Sequence, residues 1–226
     1  MKTASNIYVI GGGKGGVGKS MVSIAFVDHL RNNKANNEVT LIESDDSNPD
    51  VYKAYESTDD IKKKIINIDA QKGWITLMDE MPVWSQSGEQ VVINTAARST
   101  KSLQQNLPDL LAGAKQLSIA VKLLWVINDQ RDSLNLLHGL LNTVEIDTIV
   151  VKNLHFGEPQ SFDLFDNSKL KERVKSIEFP ELNQAVTKKI YVNRLPLHAT
   201  TEYSFGEQMA LHRFRNDVAS QIAMIK

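Results

Sequence analysis

The stretch that decides the fold of this chain is Gly13-Lys14-Gly15-Gly16-Val17-Gly18-Lys19-Ser20. It has the spacing of a phosphate-binding loop, in which a glycine is followed after four residues by Gly-Lys-Ser. Its glycines allow consecutive backbone N–H groups to turn towards an anion, because no Cβ atom stands in the way. The stretch follows an apolar run, Ile7–Ile10, and precedes Ser20–Arg31, whose apolar residues recur at helical spacing. This order predicts a site for the phosphates of a nucleoside triphosphate.

The side chains of the loop suggest separate roles in binding phosphate and metal. Lys19 is expected to place its ammonium group between the β- and γ-phosphates, and the Ser20 hydroxyl is expected to ligate Mg²⁺. The expected cofactors are therefore ATP and Mg²⁺. The residues expected to surround the nucleotide phosphates are Gly13, Lys14, Gly15, Gly16, Val17, Gly18, Lys19, Ser20 and Met21.

Further short apolar runs lack polar alternation, as do strands that are covered on both faces. They are Val39–Ile42, Ile65–Ile68, Val91–Ile93, Val121–Ile127 and Thr148–Val151. Helical spacing follows in Leu103–Leu117, Ser133–Thr143 and Gly206–Ile225. The alternation predicts an α/β fold with a doubly wound, mostly parallel sheet flanked by helices, in a single domain over residues 1–226. Gly157–Pro180 is the least regular region, with only a short charged helix expected at Ser168–Lys175.

Composition excludes several classes of function. Cysteine is absent, which excludes disulfides, thiolate metal ligands, iron–sulfur clusters and cysteine nucleophiles. The formal net charge of −1 means that any contact with DNA would need a local basic patch. No run of about 18 consecutive apolar residues occurs, so no membrane span is expected. We therefore expect a cytoplasmic protein.

A general phosphate loop does not require a lysine at position 14. The presence of Lys14 makes the loop similar to that of one particular family. The run Lys-Gly-Gly-Val-Gly-Lys-Ser at residues 14–20 resembles the deviant Walker A motif of the ParA/MinD superfamily of ATPases. The resemblance implies a P-loop ATPase fold and a homodimer that forms on ATP binding. It also implies that Lys14 crosses the two-fold interface to the phosphates bound by the other subunit. The alternative is that Lys14 is an ordinary solvated loop charge.

The resemblance continues after the second strand. Glu43-Ser44-Asp45 stands where the family usually has Asp-x-Asp, so Glu43 replaces the first aspartate with the same charge. The resemblance implies that Asp45 orients the attacking water and lies near Mg²⁺. Lys14 and Asp45 are therefore the expected catalytic residues. In one alternative these carboxylates only cap a helix near Pro49, and Asp46 would take the role if the register slipped by one residue.

The family's Walker B strand ends in aspartate, whereas the corresponding run Val91–Ile93 ends at Asn94. An amide oxygen can accept a hydrogen bond from a Mg²⁺-bound water, but it carries no charge. The resemblance thus gives Ser20, Asp45 and Asn94 as the metal site and implies slow hydrolysis. The alternative is that Asn94 caps the next element.

Two later segments resemble the family's base-binding residues. Asn153 follows a predicted strand and matches the asparagine that reads the adenine edge, since an amide can donate and accept at once. A turn-forming asparagine is the alternative. Phe179-Pro180-Glu181-Leu182 resembles the loop whose backbone closes over the base, with Arg194-Leu195-Pro196 as the other candidate. Asn153 and Pro180 therefore join the expected ATP-binding residues.

Within the superfamily, Glu43–Asp50 and Asn94–Arg98 resemble plasmid-borne members. The implied function is an ATP-dependent switch in plasmid partition, stability or conjugative DNA transfer, with a plasmid DNA-binding or relaxase-type protein as partner. One alternative is a nucleotide-dependent adaptor with little or no turnover. Another is a MinD-like positioning ATPase that uses its final helix at a membrane, although packing of that helix on the sheet is favoured.

Basic residues in the second half of the chain raise the question of direct DNA binding. A non-specific DNA surface would need them on one face, and solvated surface charge is the favoured interpretation. The residues are Lys169, Lys171, Arg173, Lys175, Lys188, Lys189, Arg213 and Arg215.

Overall fold

Short strands pair side by side in one parallel sheet in the computed structural model, which describes residues 4–33 and 38–225. Within those residues the strands are β1 (Asn6–Gly11), β2 (Val39–Glu43), β3 (Lys62–Ile65), β4 (Gln90–Asn94), β5 (Ala120–Ile127), β6 (Asp147–Asn153) and β7 (Lys175–Phe179). Their order across the sheet is β3-β2-β4-β1-β5-β6-β7, and each neighbouring pair is parallel. The predicted parallel α/β sheet is therefore confirmed.

Helices cover both faces of the sheet. They are α1 (Lys19–Asn32), α2 (Asp50–Ala54), α3 (Gln71–Ser87), α4 (Thr100–Gln116), α5 (Arg131–Leu141), α6 (Asp163–Asp166), α7 (Leu170–Arg173), α8 (Gln184–Asn193) and α9 (Phe205–Ala223). One apolar core lies between the sheet and α1, α2, α8 and α9, and a second lies between the opposite face and α3, α4 and α5. This double cover explains why every residue of β2 is buried.

Two predicted boundaries are wrong, and both errors lie at sheet edges. The paired part of β3 is Lys62–Ile65, not Ile65–Ile68. Ile66 and Ile68 are apolar because they are buried after the strand ends, whereas an edge strand tolerates exposed lysines. The expected helix at Ser168–Lys175 shortens to α7, and Lys175 begins β7, the opposite edge strand.

The final helix packs on the sheet, as favoured from its sequence. Phe214, Val218 and Ile222 are all buried against the core that contains α1. Ser204 caps its first turn, where the Ser204 side chain accepts from the Glu207 N–H and the Glu207 carboxylate accepts from the Ser204 N–H. In the described part of the chain, no helix is both long and apolar enough to cross a membrane.

An ion pair between the buried Asp28 and the half-buried Arg215 joins α9 to α1. Arg215 Nε lies 2.7 Å from Asp28 Oδ2, and Asn32 Nδ2 donates to the same oxygen at 3.0 Å. Burial raises the pKa of Asp28, while the charge and hydrogen bonds of Arg215 act in the opposite direction. Arg215 is therefore occupied within the fold. Lys189 is likewise paired, at 2.7 Å, with Glu207, so neither residue is a free cation for DNA.

Replacing Arg215 with methionine should destabilise the protein. The Arg215→Met variant leaves the buried Asp28 carboxylate without its ion partner, and we expect a loss of about 3 kcal/mol. Arg213→Met is the matched control, because Arg213 is exposed two residues earlier on the same helix and should cost less than about 0.5 kcal/mol. Urea unfolding of the three proteins measures both. Equal losses in the two variants would show that the ion pair contributes nothing of its own.

Candidate nucleotide-binding site

The carboxyl ends of β1, β2 and β4 meet at one edge of the sheet. Glu43 and Asn94 are Cα partners in the β2–β4 register, and Asn94 pairs with Ile10 across β4 and β1. The segments that follow these three strands therefore start side by side. Ligands bind at this edge in open parallel sheets. The register brings together the loop, the post-β2 carboxylates and the end of β4, which are far apart in sequence.

The phosphate loop opens directly into α1. Gly18 precedes the helix with a φ of 98°, in the left-handed region, and it has no side chain that could bond to the first N–H groups. The first turn of α1 contains no acidic residue. Its amide groups and the positive end of the helix dipole are therefore available to an anion.

Lys19 holds its ammonium group over the loop. Its side chain is buried, and Nζ donates to the backbone oxygen of Lys14 at 3.3 Å and of Gly12 at 3.5 Å. Burial lowers the pKa of Lys19 to about 8, and the nearby carboxylates of Asp45 and Glu43 partly oppose that fall. The loop thus positions a cation that interacts with one carboxylate at the end of β2 and one just after it.

A cavity of about 350 Å³ lies in front of the loop and α1. It is lined by Gly15, Gly16, Gly18, Lys19, Ser20, Asp45, Asn48, Asp50, Asn94, Thr95, Ala97 and Tyr191. Most of the expected phosphate and metal residues therefore share one cavity. Asp46 does not line it. Its carboxylate instead accepts from Asn67 Nδ2 at 2.7 Å, which favours Asp45 over Asp46 as the residue that faces a ligand.

Asp45 also shapes its own loop. Its Oδ1 atom accepts from the backbone N–H groups of Ser47 and Asn48, both at 3.2 Å. Arg98 lies behind it, with Nη1 3.8 Å from Asp45 Oδ1 and Nε 2.6 Å from Asp69 Oδ2. Arg98 was not among the predicted site residues. The available signal was an arginine four residues beyond the end of β4, at the edge where the carboxylates gather.

Asn94 joins three elements through its amide. Nδ2 donates to Glu43 Oε1 on β2 at 2.9 Å, and Oδ1 accepts from Ser23 Oγ on α1 at 2.8 Å. The next helix, α4, has Ser99 as its N-cap residue. The alternative role of Asn94 as a cap for the next element is therefore wrong.

Glu43 is fully buried at the end of β2. Its Oε1 atom accepts from the Asp45 N–H at 3.1 Å and from Asn94 Nδ2, while Oε2 has no hydrogen-bond partner among the described residues. Burial raises the pKa of Glu43 to about 7, although the hydrogen bonds from Asp45 and Asn94 and the nearby Tyr52 backbone N–H group oppose this rise. In the sequence, Glu43 is the first acidic residue of Glu43-Ser44-Asp45, and this motif does not indicate that the side chain is buried.

A second cavity, of about 250 Å³, lies on the far side of Gly18. Asn153 and Pro180 both line it, together with Gly16, Gly18, Met21, His155, Phe156, Phe179, Leu182, Thr187 and Tyr191. The competing segment Arg194-Leu195-Pro196 does not line it. Tyr191 reaches both cavities and was not expected in the site, because α8 carries no motif.

The Asn153 amide donates one hydrogen bond and accepts one within the protein. Nδ2 donates to the Val17 backbone oxygen at 2.9 Å, and Oδ1 accepts from the His155 N–H at 3.2 Å. Asn153 therefore does form a turn, the alternative role considered for it. It also ties β6 to the phosphate loop, where its hydrogen bond to Val17 adjoins the loop glycines.

Lys14 points away from the phosphate cavity. Its Nζ atom lies 3.2 Å from Gln130 Oε1 and 3.3 Å from Asp132 Oδ2, and both charged side chains are at least half exposed. Gln130 and Asp132 stand at the start of α5. In the single chain, Lys14 is therefore a surface cation resting on a neighbouring helix.

Among known proteins, MobD from Acidithiobacillus ferrooxidans is 42% identical over 222 residues, which are 95% of each chain. The chain belongs to the MobD family. No protein-family model matches it.

Solved structures agree on the fold of this MobD-family chain. A plasmid partition protein from Borrelia burgdorferi B31, bound to AMPPNP, superposes with a TM-score of 0.62 at 14% identity, covering 99% of this chain and all of that one. MinD from Aquifex aeolicus gives a TM-score of 0.56 at 13% identity over 97% of both chains. The resemblance to the ParA/MinD superfamily is therefore confirmed at the level of the fold.

The contact between Gly18 and Asn153 predicts a difference between two loop glycines. A Cβ atom on Gly18 would lie 2.1 Å from Asn153 Nδ2, whereas a Cβ atom on Gly16 would meet nothing within 4 Å. Both glycines have positive φ, so both alanine variants should lose about 1 kcal/mol through strain.

We expect Gly18→Ala to lose about 2 kcal/mol more than Gly16→Ala, because the Asn153 side chain must leave its hydrogen bonds. The free energy of unfolding without nucleotide measures this difference. Adding Asn153→Ala to Gly18→Ala should recover part of the excess. Equal unfolding free energies for the two glycine variants would count against Asn153 as the residue that holds the loop.

Proposed function

We propose that this chain is a ParA-like ATP-binding and ATP-hydrolysing switch protein that dimerises when it binds ATP. The observation that carries the proposal is the cation of Lys19 beside the uncapped start of α1, at the mouth of a cavity lined by Asp45 and Asn94. Backbone N–H groups, a helix N-terminus and a buried lysine together favour an anion with several phosphate oxygens.

The two cavities would hold the two ends of the nucleotide. The β- and γ-phosphates would lie against the loop, and the base would enter the cavity lined by Asn153, Phe179 and Pro180. To read the adenine edge, the Asn153 amide would exchange its hydrogen bond to Val17 for one to the base. The AMPPNP in the Borrelia protein supports a triphosphate in a protein of this fold.

The donors around the phosphate cavity fit Mg²⁺, which prefers oxygen ligands. Ser20 and Asp45 would hold the ion, and the Asn94 amide oxygen would accept from one of its water ligands. When bound, the ion supplies positive charge at the phosphate oxygens. Asp45 would accept a hydrogen bond from the attacking water. That water forms a bond to the γ-phosphorus, the bond from phosphorus to the β–γ bridging oxygen breaks, and ADP and phosphate leave.

Lys14 would contribute to the phosphate site of a second copy. Its contact with Asp132 is an exposed ion pair, and such pairs contribute at most about 1 kcal/mol. A bound triphosphate offers Lys14 a higher density of negative charge, so exchange of partners on dimerisation costs little.

The biological setting is proposed from the relatives. The name of the MobD relative and the plasmid partition protein of the same fold both indicate work on plasmid DNA. We infer a cytoplasmic protein that couples its ATP state to plasmid mobilisation or partition, through a plasmid DNA-binding or relaxase-type partner.

A nucleotide-dependent adaptor is the second candidate, and one observation favours it. Asn94 places a neutral amide, bonded to Ser23 and Glu43, at the strand end where the ParA/MinD superfamily has a carboxylate. An adaptor would bind ATP and dimerise but release almost no phosphate.

The Lys19→Ala variant tests nucleotide binding. It removes the cation that faces the phosphates, so we expect the affinity for ATP to fall by at least about a hundredfold, measured by calorimetry. Asp45→Ala should keep its ATP affinity within a few-fold of wild type, because the phosphate loop is unchanged. It should lose phosphate release, because the attacking water loses its hydrogen-bond acceptor.

These two variants also separate the candidates. Wild-type turnover above that of Asp45→Ala supports the ATPase, and equal turnover supports the adaptor. Unchanged ATP affinity in Lys19→Ala would reject both.

The Lys14→Ala variant tests the dimer. The variant should still bind the non-hydrolysable analogue AMPPNP as a monomer. Light scattering should show no AMPPNP-dependent dimer, because each phosphate site then lacks the lysine from the other copy. Asp132→Asn is the control. It removes the resting partner of Lys14 and should dimerise at least as well as wild type. Dimerisation by Lys14→Ala at the wild-type concentration dependence would make Lys14 an ordinary surface charge.

A further inference from the structure

The end of β4 carries an amide, yet a carboxylate lies next to it. Glu43 on β2 is the Cα partner of Asn94, and Asn94 Nδ2 donates to Glu43 Oε1 at 2.9 Å. The negative charge that Asn94 lacks is therefore present one strand away, at the same level of the sheet.

The Asn94 amide is held between that carboxylate and α1. Its nitrogen points to Glu43, and its oxygen accepts from Ser23 Oγ at 2.8 Å. Ser23 lies one turn beyond Ser20 on α1, so the amide oxygen faces the helix that bears the expected metal ligand. An amide oxygen has a second lone pair, and a carboxylate bonded to the amide N–H makes that oxygen a stronger acceptor.

The charge of Glu43 is unfavourable for the fold alone. The residue is 0% exposed, and its Oε2 atom has no hydrogen-bond partner among the described residues. A buried charged oxygen without a partner is costly, and a glutamine could accept the same bonds from Asp45 and Asn94 through its own oxygen. A local feature that lowers stability without structural gain is typical of functional sites.

We propose that Glu43 supplies, through Asn94, the negative charge with which this site holds a hydrated divalent cation beside the nucleotide phosphates. Glu43 is then a positioning residue, and the Glu43–Asn94 pair together performs the role of a single strand-end carboxylate. This inference rests on the proposed nucleotide function, and it assigns the binding of the divalent cation in part to a pair of residues on two neighbouring strands.

The pair predicts that the charge can be moved from one strand to the other. Asn94→Asp alone would bring two buried carboxylates within hydrogen-bond distance, which destabilises both. Glu43→Gln alone would keep the hydrogen bonds but remove the charge. Combining the two changes moves the charge to β4, because the glutamine amide can turn to donate to the new carboxylate, although it then no longer accepts from the Asp45 N–H.

The experiment compares wild type, Glu43→Gln, Asn94→Asp and the double variant, using AMPPNP as the probe. Calorimetry at a series of Mg²⁺ concentrations gives the gain in affinity that Mg²⁺ brings, and thermal unfolding without nucleotide gives stability. We expect Glu43→Gln to unfold at or above the wild-type temperature but to lose roughly tenfold of the Mg²⁺-dependent gain. Asn94→Asp should unfold at a lower temperature, and the double variant should unfold above Asn94→Asp and regain the Mg²⁺-dependent gain in affinity.

Glu89→Gln is the matched control, because Glu89 is a buried carboxylate at the other end of the sheet, bonded to Lys62 and Thr40. It should change the unfolding temperature without changing the Mg²⁺ dependence. A wild-type Mg²⁺ dependence in Glu43→Gln, or none regained in the double variant, overturns the inference while leaving the nucleotide function intact. A wild-type protein that binds no AMPPNP at any Mg²⁺ concentration overturns the proposed function itself.

Discussion

The parallel register of β1, β4 and β2 is the constraint on which the rest of the site depends. Hydrogen bonding between these strands sets Ile10, Asn94 and Glu43 in one row across the sheet. A slip of one residue in any strand would turn its last side chain to the opposite face. The loop after β1 and the carboxylates after β2 would then no longer face each other, whatever their own sequences. The motifs supply the chemistry, and the register makes them one site.

Sequence patterns predicted the features that depend on local order. The phosphate loop needs only its glycines and the helix that follows, and buried parallel strands are recognisable as apolar runs. The predicted bounds of the two edge strands were wrong because, at a sheet edge, the buried residues are not always the residues that pair. Ile66 and Ile68 are apolar without being in β3, and β7 pairs although Lys175 and Glu178 make it look polar. The alternation of polar and apolar residues in Ser176-Ile177-Glu178-Phe179 was the sequence signal that could have revealed it.

The tertiary partners of the site residues could not be predicted from sequence. Nothing near Glu43 in the chain shows that its carboxylate would be buried against Asn94, 51 residues away. The same holds for Arg98, which reaches back to Asp45 and to Asp69. These contacts arise only when three strand ends meet. A sequence motif identifies the residue types at the strand ends. Their hydrogen-bond partners in the fold decide which of these side chains can still bind a ligand.

The ionic contacts around the site fall into two classes by exposure, and the difference indicates which of them can change. Lys14 and Asp132 are both at least half exposed, so their ion pair contributes little and is readily exchanged, whereas Arg98 is half exposed and Asp45 only 23% exposed. Asp28 and Glu43 are both buried, so loss of the Arg215 ion pair or of the Asn94 hydrogen bond would remove a stabilising partner from a buried carboxylate. The Asp28–Arg215 pair holds α9 to α1, and the Glu43–Asn94 bond holds β2 to β4. Among the ion pairs, the exposed Lys14–Asp132 contact is therefore the one that can exchange its partner at the lowest cost.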